Sequence, residues 1–259
     1  MTFKIGAHLS KSNFREELTL TNSDIFQIFI SNPRGYQPPT SSDKELFSNL
    51  DTKVVIHLPY LVNFASENPD VIKKSYSLYK KTTSNLSQNI HSIVVHGGQG
   101  GKNSTIEEAI FRWVSAFKNS EKENIKLLVE NTAGGNAAPG RELNNLIELV
   151  NQLRSLGLNI GVCYDTCHAF AAGVGDLLEG YQKLKNALGK VDLIHFNNSK
   201  DPLNSSRDRH ELLKLGTINL ENLIELAKTA SLDQTPLILE TPGDSSIWSE
   251  EIEYIRKSI

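Results

Sequence analysis

Gly161-Val162-Cys163-Tyr164-Asp165-Thr166-Cys167-His168 is the stretch on which the reading of this chain turns. It ends an apolar run from Leu158 with the composition of a buried strand, then delivers an aspartate and, three residues later, a histidine. Side chains alternate along a strand, so Val162 and Tyr164 share one face and Cys163 and Asp165 the other. Asp165 then stands at the strand's C-terminal end, with His168 in the loop beyond. A hard carboxylate and an imidazole displayed together suit a divalent cation. Asp-x-x-His alone also caps helices; repetition along the chain is what gives it weight.

Seven further apolar runs read as strands: Phe3 to His8, Ile25 to Ile30, Val54 to His57, Ser92 to His96, Lys126 to Glu130, Asp192 to Phe196 and Leu237 to Glu240. Gly or Pro closes several of them, as at Pro59, Gly97-Gly98 and Pro242. Between them the spacing predicts helices over Pro69 to Gln88, Thr105 to Asn119, Arg141 to Leu156, Asp176 to Leu188, Leu220 to Thr229 and Ser249 to Ile259. Asp70, Thr105 and Ser249 are the expected starts. Eight strand–helix units in 259 residues have the size and rhythm of an α/β fold of the (β/α)₈ TIM barrel type, a single domain over 1–259. A doubly wound sheet is the alternative, but no glycine-rich phosphate loop follows the first strand.

A barrel carries its chemistry at the C-terminal ends of the strands. The residues there are His8, His57, His96, Glu130, Asp165, His195 and Glu240; only the second strand ends without one. Any one of them alone reads as a satisfied core or capping residue, but seven at one mouth need something to bind. Asp208 and His210 follow in the polar segment after the seventh strand and, with His168, make a separate His/His/Asp set. His57, His96, Glu130, Asp165, His168, His195, Asp208, His210 and Glu240 are therefore candidate metal ligands. Nine nitrogen and oxygen donors exceed one tetrahedral site, which implies two or three ions.

Composition narrows the setting. No apolar stretch approaches the ~18 residues of a membrane span, and the N-terminus enters a strand-like run directly. The two cysteines, Cys163 and Cys167, give no disulfide framework and read as buried, reduced thiols rather than ligands, consistent with a cytoplasmic protein. His91 reads as a surface or helix-end histidine. Formal net charge is −3, yet four of the 30 acidic residues are candidate ligands, and the other 26 face 27 basic residues. Global charge thus does not argue against a phosphate-bearing partner.

Asp165-Thr-Cys-His-Ala-Phe-Ala-Ala-Gly173, Asp208-Arg-His210, Glu130-Asn-Thr-Ala-Gly134, Tyr60-Leu61 and Leu237-Ile-Leu-Glu-Thr241 together resemble the endonuclease IV family of apurinic/apyrimidinic endonucleases. The resemblance runs from Gly6-Ala-His8 to Trp248-Ser-Glu-Glu-Ile252, nearly the whole chain. It implies a three-zinc barrel, with Mn²⁺ an alternative at one site. His57 and His96 would hold one ion, bridged by Glu130 to a second; Asp165, His195 and Glu240 would complete the second; His168, Asp208 and His210 would hold the third. His8 is not among the family's ligands and falls to the second sphere. The resemblance further implies a monomer acting on double-stranded DNA with abasic or 3′-blocked sites. It would hydrolyse the phosphodiester 5′ to the abasic sugar, leaving a 3′-hydroxyl, with Glu130 catalytic. Arg34, Tyr60 and Leu61 match the positions that enter the DNA stack at the lesion. Departures occur at Lys11-Ser-Asn-Phe14, Tyr36, Gly97-Gly-Gln-Gly-Gly101, Gly135, Asn198 and Leu213-Lys-Leu-Gly216. They touch no ligand and bear on substrate range and affinity.

Two rival readings are a sugar isomerase of the same barrel superfamily and a non-enzymatic DNA-binding protein. An isomerase has no use for the Asp208/His210 set, and a mere binder none for nine ligands able to activate water.

Overall fold

The computed structural model describes residues 3–40, 43, 45–47, 49–84, 86, 89–121 and 123–259. Its strands are β1 (Ile5–Ala7), β2 (Ile25–Phe29), β3 (Lys53–His57), β4 (Ile90–His96), β5 (Lys126–Glu130), β6 (Ile160–Asp165), β7 (Leu193–His195), β8 (Asn198–Ser199), β9 (His210–Glu211) and β10 (Leu237–Leu239). Eight of them, all but β8 and β9, form one parallel sheet in the order β1-β10-β7-β6-β5-β4-β3-β2. The seam between β1 and β2 is held by a parallel bridge between His8 and Gln27. Gly6 lets the seam come together, because a Cβ there would stand 1.6 Å from the Ile25 carbonyl oxygen. The result is a TIM barrel, the expected fold. No helix among the described residues is long and apolar enough to cross a membrane.

Two cores follow from strand alternation. Val162 and Tyr164 belong to the large cluster between sheet and helices. Cys163 belongs to a second, interior cluster with Ile25, Val55, Val94, Leu128, Leu193 and Ile238, one residue from each of seven strands. The next inward position along each strand lies two residues on. Those positions are Gln27, His57, His96, Glu130, Asp165, His195 and Glu240. An apolar floor and a polar layer above it thus come from one period-two pattern. The second strand, which ends without a histidine or carboxylate, brings Gln27 to this layer.

The helices are α1 (Phe14–Thr21), α2 (Pro69–Ser84), α3 (Ile106–Phe117), α4 (Leu143–Ser155), α5 (Thr166–Ala172), α6 (Leu177–Leu188), α7 (Leu220–Leu232) and α8 (Ser245–Ser258). Thr105 caps α3 in a reciprocal box with Glu108, as its position suggested. Several expectations need correction. Helix α1 was not anticipated, and the β2–β3 connection carries no α-helix among the described residues. Asp70 does not start α2; Pro69 precedes it and Asn68 Oδ1 accepts from its N–H at 2.9 Å. The expected end of that helix includes residues 85, 87 and 88, which lie outside the described residues, as do residues 1 and 2 of the expected domain. Helix α8 begins at Ser245, with Asp244 as its cap; Ser249 is one turn inside it. His91 is a residue of β4, not of a helix end.

Candidate metal centre

His168 is not in a loop. It sits in the first turn of α5, where Asp165 Oδ1 accepts its backbone N–H at 2.6 Å. Asp165 thus caps the helix with one oxygen and keeps the other for the cleft, so the capping and metal readings of Asp-x-x-His coexist. Asn197 donates to that other oxygen, Oδ2, at 2.9 Å, and the Asn131 side chain pairs with the Asp165 backbone on both its N–H and its C=O.

Asp208 and His210 reach the same mouth by a device no sequence pattern announced. The short antiparallel pair β8–β9 turns the segment after β7 back over the barrel. Its intervening loop docks on the last turn of α5, through Asn204 N–H to the Phe170 carbonyl (3.1 Å) and Ser206 N–H to the Ala171 carbonyl (2.8 Å). The Asp201 carboxylate clamps the Arg209 guanidinium, its Oδ2 accepting from Nε at 2.6 Å.

Glu130 is fully buried at the centre. Its Oε2 lies 3.2 Å from His57 Nε2 and 3.4 Å from His96 Nε2, while Oε1 lies 3.0 Å from His195 Nδ1 and 3.1 Å from His168 Nδ1. The two oxygens face different partners, the disposition of a bridging carboxylate. The donor atoms of Glu130, Asp165, His195 and Glu240 lie within 4.8 Å of one another. So do those of His168, Asp208 and His210, and those of His57, Glu130 and His195. His96 stands slightly apart, its side chain 21% exposed and, among the described residues, ion-paired with Glu130 alone.

This donor set fits divalent cations. Among the described residues every ion-pair partner of Glu130, Asp165, Asp208 and Glu240 is a histidine, and no lysine or arginine neutralises them. His168 Nε2 and His210 Nε2 are buried and without a hydrogen bond, although both stand 3.0–3.3 Å from Asp208 Oδ1. Three donors that approach one another without bonding point at a common position between them.

Electrostatics agree. Burial pulls His168 down, but Asp165, Asp208 and Glu130 outweigh it and hold the imidazole well above its ordinary value. Burial likewise lowers His195, and the carboxylates of Glu240 and Glu130 reverse that. Burial raises Glu130, and the imidazoles of His195, His96 and His168 bring its carboxyl well below the usual range. His96, with less compensation, is pushed down by burial to about 4. The carboxylates thus favour a proton on His168 and on His195, the positive charge that bound cations replace. Cys167 Sγ lies in a compact group with Asp165 and His210, but it contacts the Arg209 carbonyl at 3.6 Å and burial pushes it up to about 12. It is a neutral thiol, as is Cys163, pushed to about 12 as well.

The loops after β2 and β3 meet at the rim. Tyr60 N–H donates to the Pro33 carbonyl at 3.0 Å and the Tyr36 hydroxyl to the Leu61 carbonyl at 2.5 Å. Arg34, Tyr60 and Leu61 are therefore neighbours in space, and all three are exposed, Tyr60 by 55% and Leu61 by 44%. Tyr60 stacks edge-on against Phe29 at 5.0 Å and borders a cavity of about 590 Å³ whose floor holds His57, His96 and Glu240. Asn198, one of the departures, is buried and braces the Leu213 and Ile218 carbonyls, so it is a structural residue of the β8–β9 segment. Gln27, Asn131 and Asn197 had no assigned role. Gln27 was legible from its place two residues after Ile25 on the inward face; nothing in the sequence singled out Asn131 or Asn197.

A family model described as xylose isomerase-like TIM barrel matches residues 21–258, and this defines the class of the protein. Within it, the chain is 33% identical over 255 residues to a probable endonuclease 4 of Mycobacterium leprae, with 98% of each chain covered. The crystal structure of endonuclease IV from Thermus thermophilus superposes with a TM-score of 0.81 at 30% identity, again over 98% of each chain. The chain belongs to the endonuclease IV family. A D-allulose 3-epimerase from Methylomonas sp. matches at a TM-score of 0.71 over 100% of this chain and 99% of its own; at 15% identity it shares the fold alone.

Proposed function

We propose that the chain, over 1–259, is a zinc-dependent DNA repair endonuclease. It hydrolyses the phosphodiester 5′ to an abasic site in double-stranded DNA, leaves a 3′-hydroxyl, and also removes 3′-blocking groups. The observation that carries this reading is Glu130, buried beneath an open cleft with its two oxygens turned to different histidines. Three zinc ions would be held by His57, His96, Glu130, Asp165, His168, His195, Asp208, His210 and Glu240, with Mn²⁺ an alternative at one position. When bound, such ions lower the pKa of water toward neutrality and offset charge on phosphoryl oxygens. Glu130 holds the reacting water's neighbourhood in register and accepts its proton at a carboxylate oxygen. The water oxygen bonds to phosphorus, the bond from phosphorus to the 3′-oxygen breaks, and that oxygen takes a proton from solvent to leave as the hydroxyl. Tyr60 and Leu61, apolar and exposed at the rim, fill the gap left by the missing base, and Arg34 beside them meets the strand. The protein acts as a monomer in the cytoplasm.

The isomerase alternative shares the fold but gives the His168–Asp208–His210 group nothing to do. The test pairs two measurements on purified protein: elemental analysis and cleavage of a duplex carrying one abasic analogue. The expected outcome is close to three zinc equivalents and a single cut 5′ to the lesion. One metal or none, with no cut, would sink the reading.

A further inference from the structure

Three histidines of the centre share a pattern: Nε2 faces a carboxylate, and a backbone carbonyl lies at Nδ1. His57 Nδ1 is 2.7 Å from the Leu58 carbonyl and His210 Nδ1 3.1 Å from that of Glu240, while His168 Nδ1 lies between the Asn131 carbonyl at 3.0 Å and Glu130 Oε1 at 3.1 Å, both acceptors. A carbonyl oxygen only accepts, so Nδ1 carries the hydrogen and Nε2 keeps its lone pair for the cleft. His195 is reversed. Its Nδ1 faces Glu130 Oε1 at 3.0 Å and Glu240 Oε2 at 3.3 Å, while Nε2 stands 2.9 Å from Gln27 Oε1. In this one ring the hydrogen is directed by a side chain rather than by the backbone.

Gln27 is fully buried, and its other end is also engaged. Its Nε2 donates to Glu240 Oε1 at 2.6 Å, and His8 Nδ1 lies 2.9 Å from that same oxygen. A carboxylate only accepts, so the amide nitrogen has to face Glu240 and the amide oxygen His195. Glu240 Oε1 is thereby occupied, and Oε2 is left toward His195 Nδ1 and the cleft. One amide sets the hydrogen of one candidate ligand and the free oxygen of another.

We propose that Gln27 is a positioning residue that directs His195 to bind through Nδ1 and Glu240 through Oε2 at a single metal position. The proposal rests on the metal reading above. Gln27→Met keeps the shape and removes both donor and acceptor. In the zinc-loaded variant, competition with a chelator is expected to show one zinc weakened about 10- to 100-fold, the usual effect of losing an outer-sphere partner. Long-range proton–nitrogen spectra of histidine-labelled protein should show hydrogen on Nε2 of His195 in the wild type and lose that pattern in the variant. The His57, His168 and His210 signals should stay as they were, a contrast that simple loss of packing does not produce. Should Gln27→Met not fold, Gln27→Glu keeps an oxygen toward His195 and replaces the donor to Glu240; it should retain the His195 pattern and still weaken zinc. Zinc affinity within about twofold of wild type, with His195 unchanged in Gln27→Met, would overturn the proposal. A wild-type chain that takes up no zinc refutes the metal reading instead, and His195 spectra recorded at a pH high enough to leave that ring neutral still report on Gln27.

Discussion

Glu130 concentrates the chemistry in one side chain, since no other described residue of the cleft faces four histidines. Glu130→Gln keeps the volume but has neither the charge to bridge two cations nor the basicity to take a proton. Cleavage of the abasic duplex should fall by roughly a hundred- to a thousand-fold or more, the scale of losing a principal charge-stabilising group. Binding to the same duplex should persist, because the rim and phosphate contacts are untouched. Single-turnover cleavage beside equilibrium binding checks both; near wild-type cutting would remove Glu130 from its role. At this scale the sequence was informative for residues whose type is rare at strand ends. It placed Gln27 inward by alternation without giving it a role, and was silent on Asn131 and Asn197, because an amide is an ordinary residue until its partners are known.

Elements decide what a residue meets. Tyr60 and Leu61 follow β3, Arg34 follows β2, and two cross-loop hydrogen bonds join them into one rim. Changing Tyr60 and Leu61 together to alanine should spare the metals, since His57 remains in the strand. It should cost the discrimination between abasic and intact duplex, because filling and unstacking are worth a few kcal/mol while phosphate contacts ignore the lesion. The salt dependence of binding should change little, as no charge is removed. Binding curves for both duplexes at two salt concentrations measure this; an equal fall in both affinities would make the pair packing residues. Helix α1 and helix α5 were missed for different reasons. In α1, Asn13 makes no side-chain cap bond and Phe14 and Thr21 alone are buried, so neither cap nor stripe was clear. In α5 the seven residues are too few to show a period of 3.6, and most are buried all round.

The whole molecule couples the site to pH. In zinc-stripped protein His168 and His195 are held well above 6.5. Their stabilising contribution is fully present below that value and fades as pH rises through the folded values. Zinc requires the bare nitrogens, so loading strengthens over the same rise. The gain in thermal midpoint on adding zinc should therefore grow between about pH 6 and about pH 9, read from paired melts of loaded and stripped protein. A gain that shrinks or stays flat would count against metal at these histidines. The barrel itself was written in the sequence, because a strand buried on both faces must be a short apolar run, and eight such runs at regular spacing leave few folds. Alternation along those runs also put the polar ends at one mouth. What only the tertiary structure decided was the company each group keeps. The β8–β9 turn, the dock of its loop on α5, and the opposed ends of the Gln27 amide all depend on contacts between residues far apart in the chain. Local periodicity carries no record of such distances, and the charge of a buried carboxylate is set by whatever is folded against it.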